Sequence, residues 1–485
     1  MSELIISVSG LRGVVGEALT PEVAAGYAAA MAATAPPGPL VIGRDSRPSG
    51  RMLAEAIHRG LAAVGRDTLD AGIVATPTLG VLVRRLAAAG GIQITASHNP
   101  LPYNGLKLFS AEGRVIPAAM GEKVLAVYRR KGPEQPPRTR PGDCPNFRVS
   151  ENETVPFEAR RPGQPRQVPD TLADHLEAVL ATVDVQRIRR RQFRVLLDAN
   201  HGAGSLLGRR LLESLHCRLT ILGEPPDGQF AHTPEPTAEN LAGVLAAVTQ
   251  VGADVGFCQD PDADRLAVID ASGRYLGEEY TVALCVEHVL RHATGDCPDF
   301  RPTKMGLSPS ARAIVTNCSS SRMSEDLAGR HGAPFFRSAV GEANVVDAML
   351  AHGALFGGEG NGGPIDPRVG LVRDSFVGMA LLLDAMAERE LPIGRLADEL
   401  PRYEIVKTKI SLAREKVSGA LDALQRHFAG AAYDRLDGLR LDWPGRWLLV
   451  RASNTEPIVR AIAEAPTAAE ARRLCDDAAG VLGNV

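Results

Sequence analysis

The sequence lacks three features that mark special classes of protein: a strong charge imbalance, a long apolar run and a basic N-terminal leader. Its formal net charge is −3 over 485 residues, so we expect no attraction to nucleic acid or to an anionic membrane. No run of about 18 apolar residues is available to cross a bilayer. The N-terminal MSELIISVSGLRG has no basic start followed by an apolar stretch, so no signal peptide is expected.

Cysteine pairs are also missing. The seven cysteines are an odd number and no two stand in a C-x-x-C spacing, so the sequence predicts neither a cysteine zinc site nor a disulfide framework. Free cysteines fit a reducing cytoplasm, which is the expected location. Aromatic residues make up only 4% of the chain, so its cores must be mainly Ala, Leu and Val.

What the sequence does contain is a repeated alternation of apolar strands and helices. At roughly 100–200 residues per domain, the length predicts three or four domains. The alternation is typical of a mostly parallel sheet. We therefore expect an α/β protein with three similar βαβ-rich mixed-sheet domains and a smaller α+β C-terminal domain around one central cleft. The predicted ranges are 1–150, 168–275, 276–392 and 396–485.

Two further predictions concern irregular segments. Residues 131–169 are rich in Pro and Arg and are interpreted as a linker or a surface insertion. Asn104-Gly105 and Glu112-Gly113 are turn signals, so residues 103–116 are predicted to form a hairpin.

Each of the three βαβ-rich units ends with an apolar strand that opens into an unusual loop. The loops are TASHNP at 95–100, DPDADR at 260–265 and GEGNGG at 358–363. In open α/β sheets, ligands collect beyond the carboxyl ends of the strands. The economical interpretation is that all three loops face one cleft.

The DPDADR loop places carboxylates at Asp260, Asp262 and Asp264, immediately after a predicted buried strand. Crowded carboxylates repel, and all-oxygen ligands suit a hard cation such as Mg²⁺. The alternative is an acidic turn on the protein surface. The spacing does not match an EF-hand, because the required Gly and Glu positions are absent.

Ser97 admits three interpretations. It could cap a helix, act as a hydrolase nucleophile, or carry a phosphoryl group beside the metal loop. The hydrolase is disfavoured, because no G-x-S-x-G surrounds Ser97 and the adjacent His98 cannot easily form the required relay.

Two more loops are candidates for substrate binding. Residues 451–457, RASNTEP, combine an arginine with hydroxyl and amide side chains, as a phosphate-binding loop does, although a plain turn is the alternative. In the GEGNGG loop, Glu359 repels phosphate but accepts hydroxyls, which favours a clamp on sugar hydroxyls over a merely flexible loop.

Taken in order, five motifs resemble the α-D-phosphohexomutase family, which includes phosphoglucomutase, phosphomannomutase and phosphoglucosamine mutase. They are SGLRG at 9–13, TASHNP with NGLK at 95–107, DPDADR at 260–265, GEGNGG at 358–363 and RASNTEP at 451–457. Two further segments, GRDSRPSG at 43–50 and VGEAN at 340–344, also resemble the family. The similarity spans nearly the whole chain.

The resemblance implies roles for individual residues. Ser97 would carry the phosphoryl group and complete a shell of one Mg²⁺ per chain with Asp260, Asp262 and Asp264. Lys107 is the candidate general acid or base, with His98 and Arg12 beside the reacting groups. Residues implied to bind substrate are Arg265, Gly358, Glu359, Asn361, Arg451, Ser453, Asn454 and Thr455.

The resemblance also implies a reaction: hexose 1-phosphate and hexose 6-phosphate interconvert through a phosphoserine and a bisphosphate, with a hexose bisphosphate as primer. A mobile fourth domain would grip either end of the sugar.

Asn361 and Gly363 replace a serine and a histidine common in bacterial members, so the identity of the sugar stays open. Phosphoglucosamine mutase is preferred over phosphomannomutase or phosphoglucomutase. A Mg²⁺-dependent phosphatase and a non-catalytic sugar-phosphate sensor are the rivals. The expected partner is a hexose phosphate, and the expected assembly is a monomer or a homodimer.

Overall fold

The computed structural model describes residues 4–131, 163–293, 312–453 and 458–483. Within these ranges the chain forms four sheets, one after another along the sequence. We call each sheet with its surrounding helices a unit. In the described part of the chain, no helix is long and apolar enough to cross a bilayer.

The first unit is built on a seven-stranded mixed sheet. Its elements are β1 (Ile5–Ser7), β2 (Gly10–Val14), α1 (Pro21–Thr34), β3 (Leu40–Arg44), α2 (Ser49–Ala63), β4 (Thr68–Ile73), α3 (Thr76–Arg85), β5 (Gly90–Ile94), β6 (Tyr103–Ser110), α4 (Ala118–Lys131) and β7 (Pro165–Gln167). The strand order is β1-β2-β6-β5-β3-β4-β7. Helix α1 begins after Thr20, whose hydroxyl accepts from the amide of Val23, and Pro21 occupies its first turn.

Both predictions for irregular segments need correction. Asn104 and Gly105 lie inside β6, because that strand pairs with β5 on one side and β2 on the other. Only Glu112-Gly113 is a turn, after which Val115 bridges back to Phe109. The predicted linker is wrong at residues 165–167, which pair with β4 in parallel. Residues 132–162 of that segment lie outside the described ranges.

The second and third units each contain a four-stranded mixed sheet. The second comprises α5 (Ala173–Leu180), α6 (Val185–Arg191), β8 (Arg194–Asp198), α7 (Gly204–Ser214), β9 (Arg218–Leu222), α8 (Ala242–Gln250), β10 (Val255–Gln259) and β11 (Leu266–Asp270). The third comprises α9 (Glu278–His292), β12 (Ile314–Asn317), α10 (Met323–Arg330), β13 (Phe335–Ser338), α11 (Glu342–His352), β14 (Phe356–Glu359), β15 (Gly363–Ile365), α12 (Ser375–Arg389) and α13 (Ile393–Asp398).

The fourth unit is smaller and its five strands pair only in the antiparallel sense, in the order β16-β20-β19-β18-β17. Its elements are β16 (Glu404–Ser411), a 3₁₀ turn (Arg414–Lys416), α14 (Val417–His427), β17 (Ala432–Asp434), β18 (Leu439–Trp443), β19 (Arg446–Ala452), β20 (Ile458–Ala465) and α15 (Ala468–Gly483).

The expected threefold similarity is visible in the strands that precede the three loops. Strand β5 lies between parallel β3 and antiparallel β6. Strand β10 likewise lies between parallel β8 and antiparallel β11, and β14 between parallel β12 and antiparallel β15. All three strands are buried along their whole length. The same local topology therefore delivers each loop to the carboxyl end of a central strand.

Candidate active site

The Ser97 loop leaves β5 in a strained turn. Ser97 has a φ of +50°, in the left-handed region that a non-glycine residue seldom occupies. Its amide donates to the hydroxyl of Thr95 at 2.9 Å, and its side chain is buried. No helix begins at Ser97, so the helix-cap interpretation is wrong.

A buried arginine holds this loop in shape. The guanidinium of Arg47 donates to the carbonyls of Ser97, Asn99 and Pro100, at 2.5, 2.7 and 3.1 Å. Arg47 is itself held by Asp45, which accepts from its Nε at 3.0 Å. The segment GRDSRPSG resembles the family, but the resemblance implies no role for Arg47, because nothing in the sequence connects residue 47 with residue 97.

The Ser97 hydroxyl meets the aspartate loop of the second unit. Ser97 Oγ donates to Asp260 Oδ2 at 2.8 Å. The other oxygen of Asp260 accepts from the backbone amides of Asp264 and Arg265, at 3.1 Å each. One carboxylate oxygen from each of Asp260, Asp262 and Asp264 lies within 4.8 Å of the others, and all three residues are fully buried. The acidic surface turn, the alternative interpretation, is therefore wrong.

The aspartate cluster fits a hard divalent cation. Oδ1 of Asp262 and Oδ1 of Asp264 are buried and have no hydrogen-bond partner. Burial raises the pKa of Asp260 well above its ordinary value, and the charges of Asp262 and Asp264 raise it further. Crowded, buried, all-oxygen donors with free lone pairs are what such a cation requires. Together these residues could hold a metal ion.

Two cationic side chains approach the same cluster. Lys107 Nζ lies 3.2 Å from Asp262 Oδ2 and 2.7 Å from Asp264 Oδ2. Burial opposes the charged form of Lys107, but Asp262 and Asp264 outweigh it, so the pKa of Lys107 is raised. Arg373 Nη2 donates to Asp264 Oδ2 at 2.6 Å. Lys107 is therefore a protonated ammonium group that contacts two carboxylates.

The remaining predicted residues around Ser97 lie close to it. His98 Nδ1 is 3.4 Å from Ser97 Oγ, and Arg12 donates to Asn99 Oδ1 at 3.0 Å. Burial and the charge of Arg265 lower the pKa of His98 to about 2, so its ring is neutral.

Glu235 was not predicted, and it links His98 to Arg265. Its Oε1 lies 4.0 Å from His98 Nε2 and 3.6 Å from Arg265 Nη1. Glu235 therefore adds a negative charge at the edge of a group of cations.

In the third loop, both carboxylate oxygens of Glu359 already have partners. Its Oε1 accepts from Asn317 Nδ2 at 2.7 Å and from the amide of Gly341 at 3.1 Å, and its Oε2 accepts from Arg373 at 2.9 Å. Asn361 Oδ1 is buried without a hydrogen-bond partner.

Gly358 lies inside β14. A side chain there would come within 2.7 Å of the carbonyl of Gly363, so the strand pairing itself requires a glycine.

Arg373 is the functional candidate that sequence reasoning missed. It bridges Asp264 of the second unit and Glu359 of the third, and its amide donates to Glu342 at 2.9 Å. The available signal was weak: Arg373 and Asp374 are the charged pair at the start of a long apolar stretch that becomes the buried helix α12.

The predicted phosphate loop is only partly described. Arg451 lies at the end of β19 with its Nε 2.9 Å from Asp437 Oδ2. The amide of Ser453 donates to the carbonyl of Ile458 at 2.9 Å. Asn454 and Thr455 lie outside the described residues.

Models of the four domains of one family match this chain in order. They are the α/β/α domain I of phosphoglucomutase/phosphomannomutase at residues 4–134, domain II at 173–273, domain III at 278–403 and the C-terminal domain at 409–481. The chain belongs to the phosphoglucomutase/phosphomannomutase family. The resemblance stated from the motifs is thereby confirmed, and the chain is an isomerase of the phosphohexomutase class.

Individual members of the family match this chain over nearly its full length. A phosphoglucomutase/phosphomannomutase of Thermococcus kodakarensis is 35% identical, over 96% of this chain and 95% of its own. A Pyrococcus horikoshii protein named "probable phosphoglucosamine mutase" is 32% identical, over 98% and 97%. The crystal structure of a phosphoglucomutase/phosphomannomutase family protein from Burkholderia thailandensis superimposes with a TM-score of 0.78 at 26% identity, over 99% and 98%. The four-unit architecture is thus that of the family.

Proposed function

We propose that this phosphohexomutase interconverts hexose 1-phosphate and hexose 6-phosphate by way of phospho-Ser97, with glucosamine phosphate as its preferred sugar. The observation that carries the proposal is the 2.8 Å contact between Ser97 Oγ and Asp260 Oδ2, which joins the loops of two units. A hydroxyl beside a buried cluster of carboxylates suits phosphoryl transfer, which depends on positioning and on neutralising charge.

In this proposal Ser97, Asp260, Asp262 and Asp264 hold one Mg²⁺ per chain. When bound, the cation neutralises charge on the transferring phosphoryl group, a contribution of several kcal/mol for a metal acting as a Lewis acid. The unpartnered Oδ1 atoms of Asp262 and Asp264 support this assignment.

Lys107 is proposed to move the proton. In the first half-reaction the bond from Ser97 Oγ to phosphorus breaks and a sugar oxygen forms a new bond to phosphorus, so the sugar hydroxyl gives up a proton and the Ser97 oxygen gains one. In the second half-reaction the bond between phosphorus and the sugar oxygen at the other end of the bisphosphate breaks, Ser97 Oγ forms the new bond to phosphorus, and the proton moves from Ser97 to that sugar oxygen. Asp262 and Asp264 keep Lys107 protonated here, and loss of either contact would lower its pKa towards the range in which it exchanges a proton.

The remaining predicted residues are proposed to hold the substrate. Arg12, His98 and Arg265 would face the reacting phosphoryl group. Gly358, Glu359 and Asn361 would position the sugar, and Arg451, Ser453, Asn454 and Thr455 would hold the phosphate that does not react. Because Arg373 contacts Glu359 and Asp264 at once, we add it as a positioning residue between the sugar site and the cation site.

The choice of sugar rests on the Glu359 loop and on a relative. Asn361 and Gly363 stand where a serine and a histidine are common in bacterial members of the family. The Pyrococcus horikoshii relative bears the phosphoglucosamine mutase name, whereas the Thermococcus kodakarensis relative is named for glucose and mannose phosphates. Glucosamine phosphate is therefore proposed first, with mannose and glucose phosphates as the alternative.

The test is a substrate panel. The protein is incubated with the 1-phosphates of glucosamine, mannose and glucose, together with Mg²⁺ and the matching hexose bisphosphate as primer. We expect 6-phosphate to form fastest from glucosamine 1-phosphate, and the Ser97→Ala variant to form none. Free inorganic phosphate as the main product would instead indicate a phosphatase, and binding without conversion would indicate a sensor. Faster turnover of mannose or glucose phosphate would overturn only the choice of sugar.

A further inference from the structure

A second cluster of metal-ligating side chains lies in the third unit, away from the aspartate loop. His288 and His292 are four residues apart on α9, so they share one face of that helix. Glu388 comes from α12, which packs against α9. One ligand atom from each residue lies within 4.8 Å of the others.

The tautomer of His292 is fixed by its own helix. Its Nδ1 lies 2.8 Å from the carbonyl oxygen of His288, and a carbonyl can only accept a hydrogen bond. The proton of a neutral His292 ring is therefore on Nδ1. The other nitrogen, Nε2, presents a lone pair to Glu388 Oε1 at 3.4 Å.

His288 is fixed in the same way by a carboxylate. Its Nε2 lies 3.2 Å from Asp384 Oδ2, and Arg187 holds Asp384 through two contacts of 2.9 and 2.8 Å. The proton of His288 is therefore on Nε2, and Nδ1 faces Glu388 Oε2 at 3.4 Å.

With both rings neutral, three electron-pair donors face one another with no hydrogen between them. Glu388 Oε2 is buried and has no hydrogen-bond partner. A lone pair opposite a carboxylate is repulsive, and the arrangement is stable only with a positive charge in the gap.

We propose that His288 Nδ1, His292 Nε2 and the Glu388 carboxylate form a second metal site, suited to Zn²⁺, with water in the fourth position. Metal–ligand distances of roughly 2.0–2.1 Å place neighbouring ligand atoms of a tetrahedral site about 3.3–3.4 Å apart. His288 Nδ1 lies 3.4 Å from Glu388 Oε2 and His292 Nε2 lies 3.4 Å from Glu388 Oε1, so each nitrogen is about one such edge from one oxygen of the same carboxylate.

The surroundings also fit the proposal. A ligating histidine in proteins usually donates its other ring N–H to a carboxylate or a backbone carbonyl, as His288 and His292 do here. Imidazole ligands favour Zn²⁺ over Mg²⁺, so the two clusters would select different metals. The side chains of His292 and Glu388 are 31% and 30% exposed, which leaves an entry path from solvent. Bound metal would tie α9 to α12.

The test uses Co²⁺ as a visible probe of four-coordinate sites with nitrogen ligands. The full-length protein is stripped of metal, supplied with excess Mg²⁺, and titrated with Co²⁺ and then with Zn²⁺ as competitor. The titration is repeated in an Asp262→Asn background, so that the aspartate cluster cannot account for the signal. We expect one Co²⁺ per chain with the intense absorption of tetrahedral cobalt, displaced by Zn²⁺.

Matched variants locate the site. The Glu388→Gln variant keeps the shape of the side chain, and the His292→Ala variant removes a half-buried ring. Each should weaken Co²⁺ binding by more than the roughly 10–100-fold typical of losing an outer-shell partner. His331→Ala is the control, because His331 pairs with Glu287 at 2.9 Å in the same unit but lies outside the cluster. Equal binding by wild type and His292→Ala would overturn the proposal. So would absence of tetrahedral cobalt in the wild type, since a proton would then fill the gap.

Discussion

The joint that the first and second units form at the active site is made of polar and charged side chains, whereas the joint between the third and fourth units is built around a buried tryptophan. At the first joint, Ser97 and Lys107 meet the aspartate loop, and Oδ1 of both Asp262 and Asp264 remains unpartnered. At the second joint, Trp447 is fully buried and packs with Cys318, Leu449 and Ile462.

Polar contacts at the second joint reinforce this packing. The indole of Trp447 donates to Glu464 at 2.8 Å, and the same carboxylate oxygen accepts from the amide of Arg322 in the third unit at 3.0 Å. The guanidinium of Arg440 lies 4.1 Å from the ring centre of Trp447 and donates to the carbonyl of Cys318. A mobile fourth domain, expected from the sequence, stays a prediction, and its movement would have to break these contacts.

The first joint is built to bind a ligand, whereas the second joint is built to stabilise the fold. Buried carboxylates that repel one another are costly to the fold, and they are tolerated where a ligand completes them. An apolar cluster is stable without any ligand. We therefore expect changes at the first joint to affect catalysis more than stability, and changes at the second joint to do the reverse.

The largest expected effect is that of Asp260→Asn. It should lower kcat by at least about 1,000-fold, because a metal acting as a Lewis acid contributes several kcal/mol to the transition state. The melting temperature should stay the same or rise, since burial and two neighbouring carboxylates make the charge of Asp260 unfavourable. Steady-state kinetics and a thermal scan measure both effects. A variant that turned over nearly as fast as the wild type would contradict the assignment of the cluster.

The opposite pattern is expected for Trp447→Ala. Removing this buried side chain should lower the free energy of unfolding of the fourth unit by about 3–5 kcal/mol. Urea denaturation followed by fluorescence can measure this, because Trp443 is then the only tryptophan. Trp443→Ala is the matched control, since Trp443 is only half-buried, and it should cost less. Equal losses from the two variants would contradict the claim that the buried Trp447 stabilises the second joint.

Arg373→Lys sharpens the comparison within the active site. Lysine keeps the charge but not the planar fork that joins Asp264 to Glu359. By analogy with outer-shell partners of metal sites, kcat/KM should fall by about 10–100-fold. The Mg²⁺ concentration for half-maximal activity should also rise. A loss of stability with unchanged metal dependence would mean that Arg373 only holds the fold together.

The smallest expected effect concerns the loop that brings Glu235 to the first joint. Its His232 Nε2 lies 2.8 Å from Asp198 Oδ2. Burial opposes the charged ring, but the hydrogen bond to Asp198 outweighs it, so the pKa of His232 is raised. Stability from this pair is fully present below the unfolded value near about 6.5, and is lost as the pH rises through the folded value. The His232→Asn variant should show a smaller change of melting temperature with pH over that window. An unchanged pH dependence would contradict a stabilising role for the pair of His232 and Asp198.

Local patterns were sufficient to predict the strands and the loops that follow them. Buried runs such as GGIQI and VGFCQ lead directly into Ser97 and Asp260, so both the strand type and its polar end could be predicted from neighbouring residues. The prediction of a turn at Asn104-Gly105 was wrong, because the pairing of β6 with a strand on each side outweighs the local turn preference of these two residues.

Contacts between distant segments could not be predicted. Arg47 lies 50 residues from Ser97 along the chain, and Arg373 lies 109 residues from Asp264. Neither stands in a repeated pattern, and their partners are defined only once the units pack together. The same holds for the second metal cluster: the spacing of His288 and His292 is visible in the sequence, but Glu388 on a neighbouring helix is not.

The most direct test of the central claim is to locate the phosphoryl group on the protein. The full-length enzyme is incubated with Mg²⁺ and a hexose bisphosphate, then digested, and its peptides are sequenced by mass spectrometry. The account predicts one added phosphate, on Ser97, and if that phosphoryl group is isotopically labelled, its label should pass into hexose phosphate when unlabelled hexose 1-phosphate is supplied in excess. Phosphate on a different residue, or an active enzyme that never carries phosphate, would contradict it.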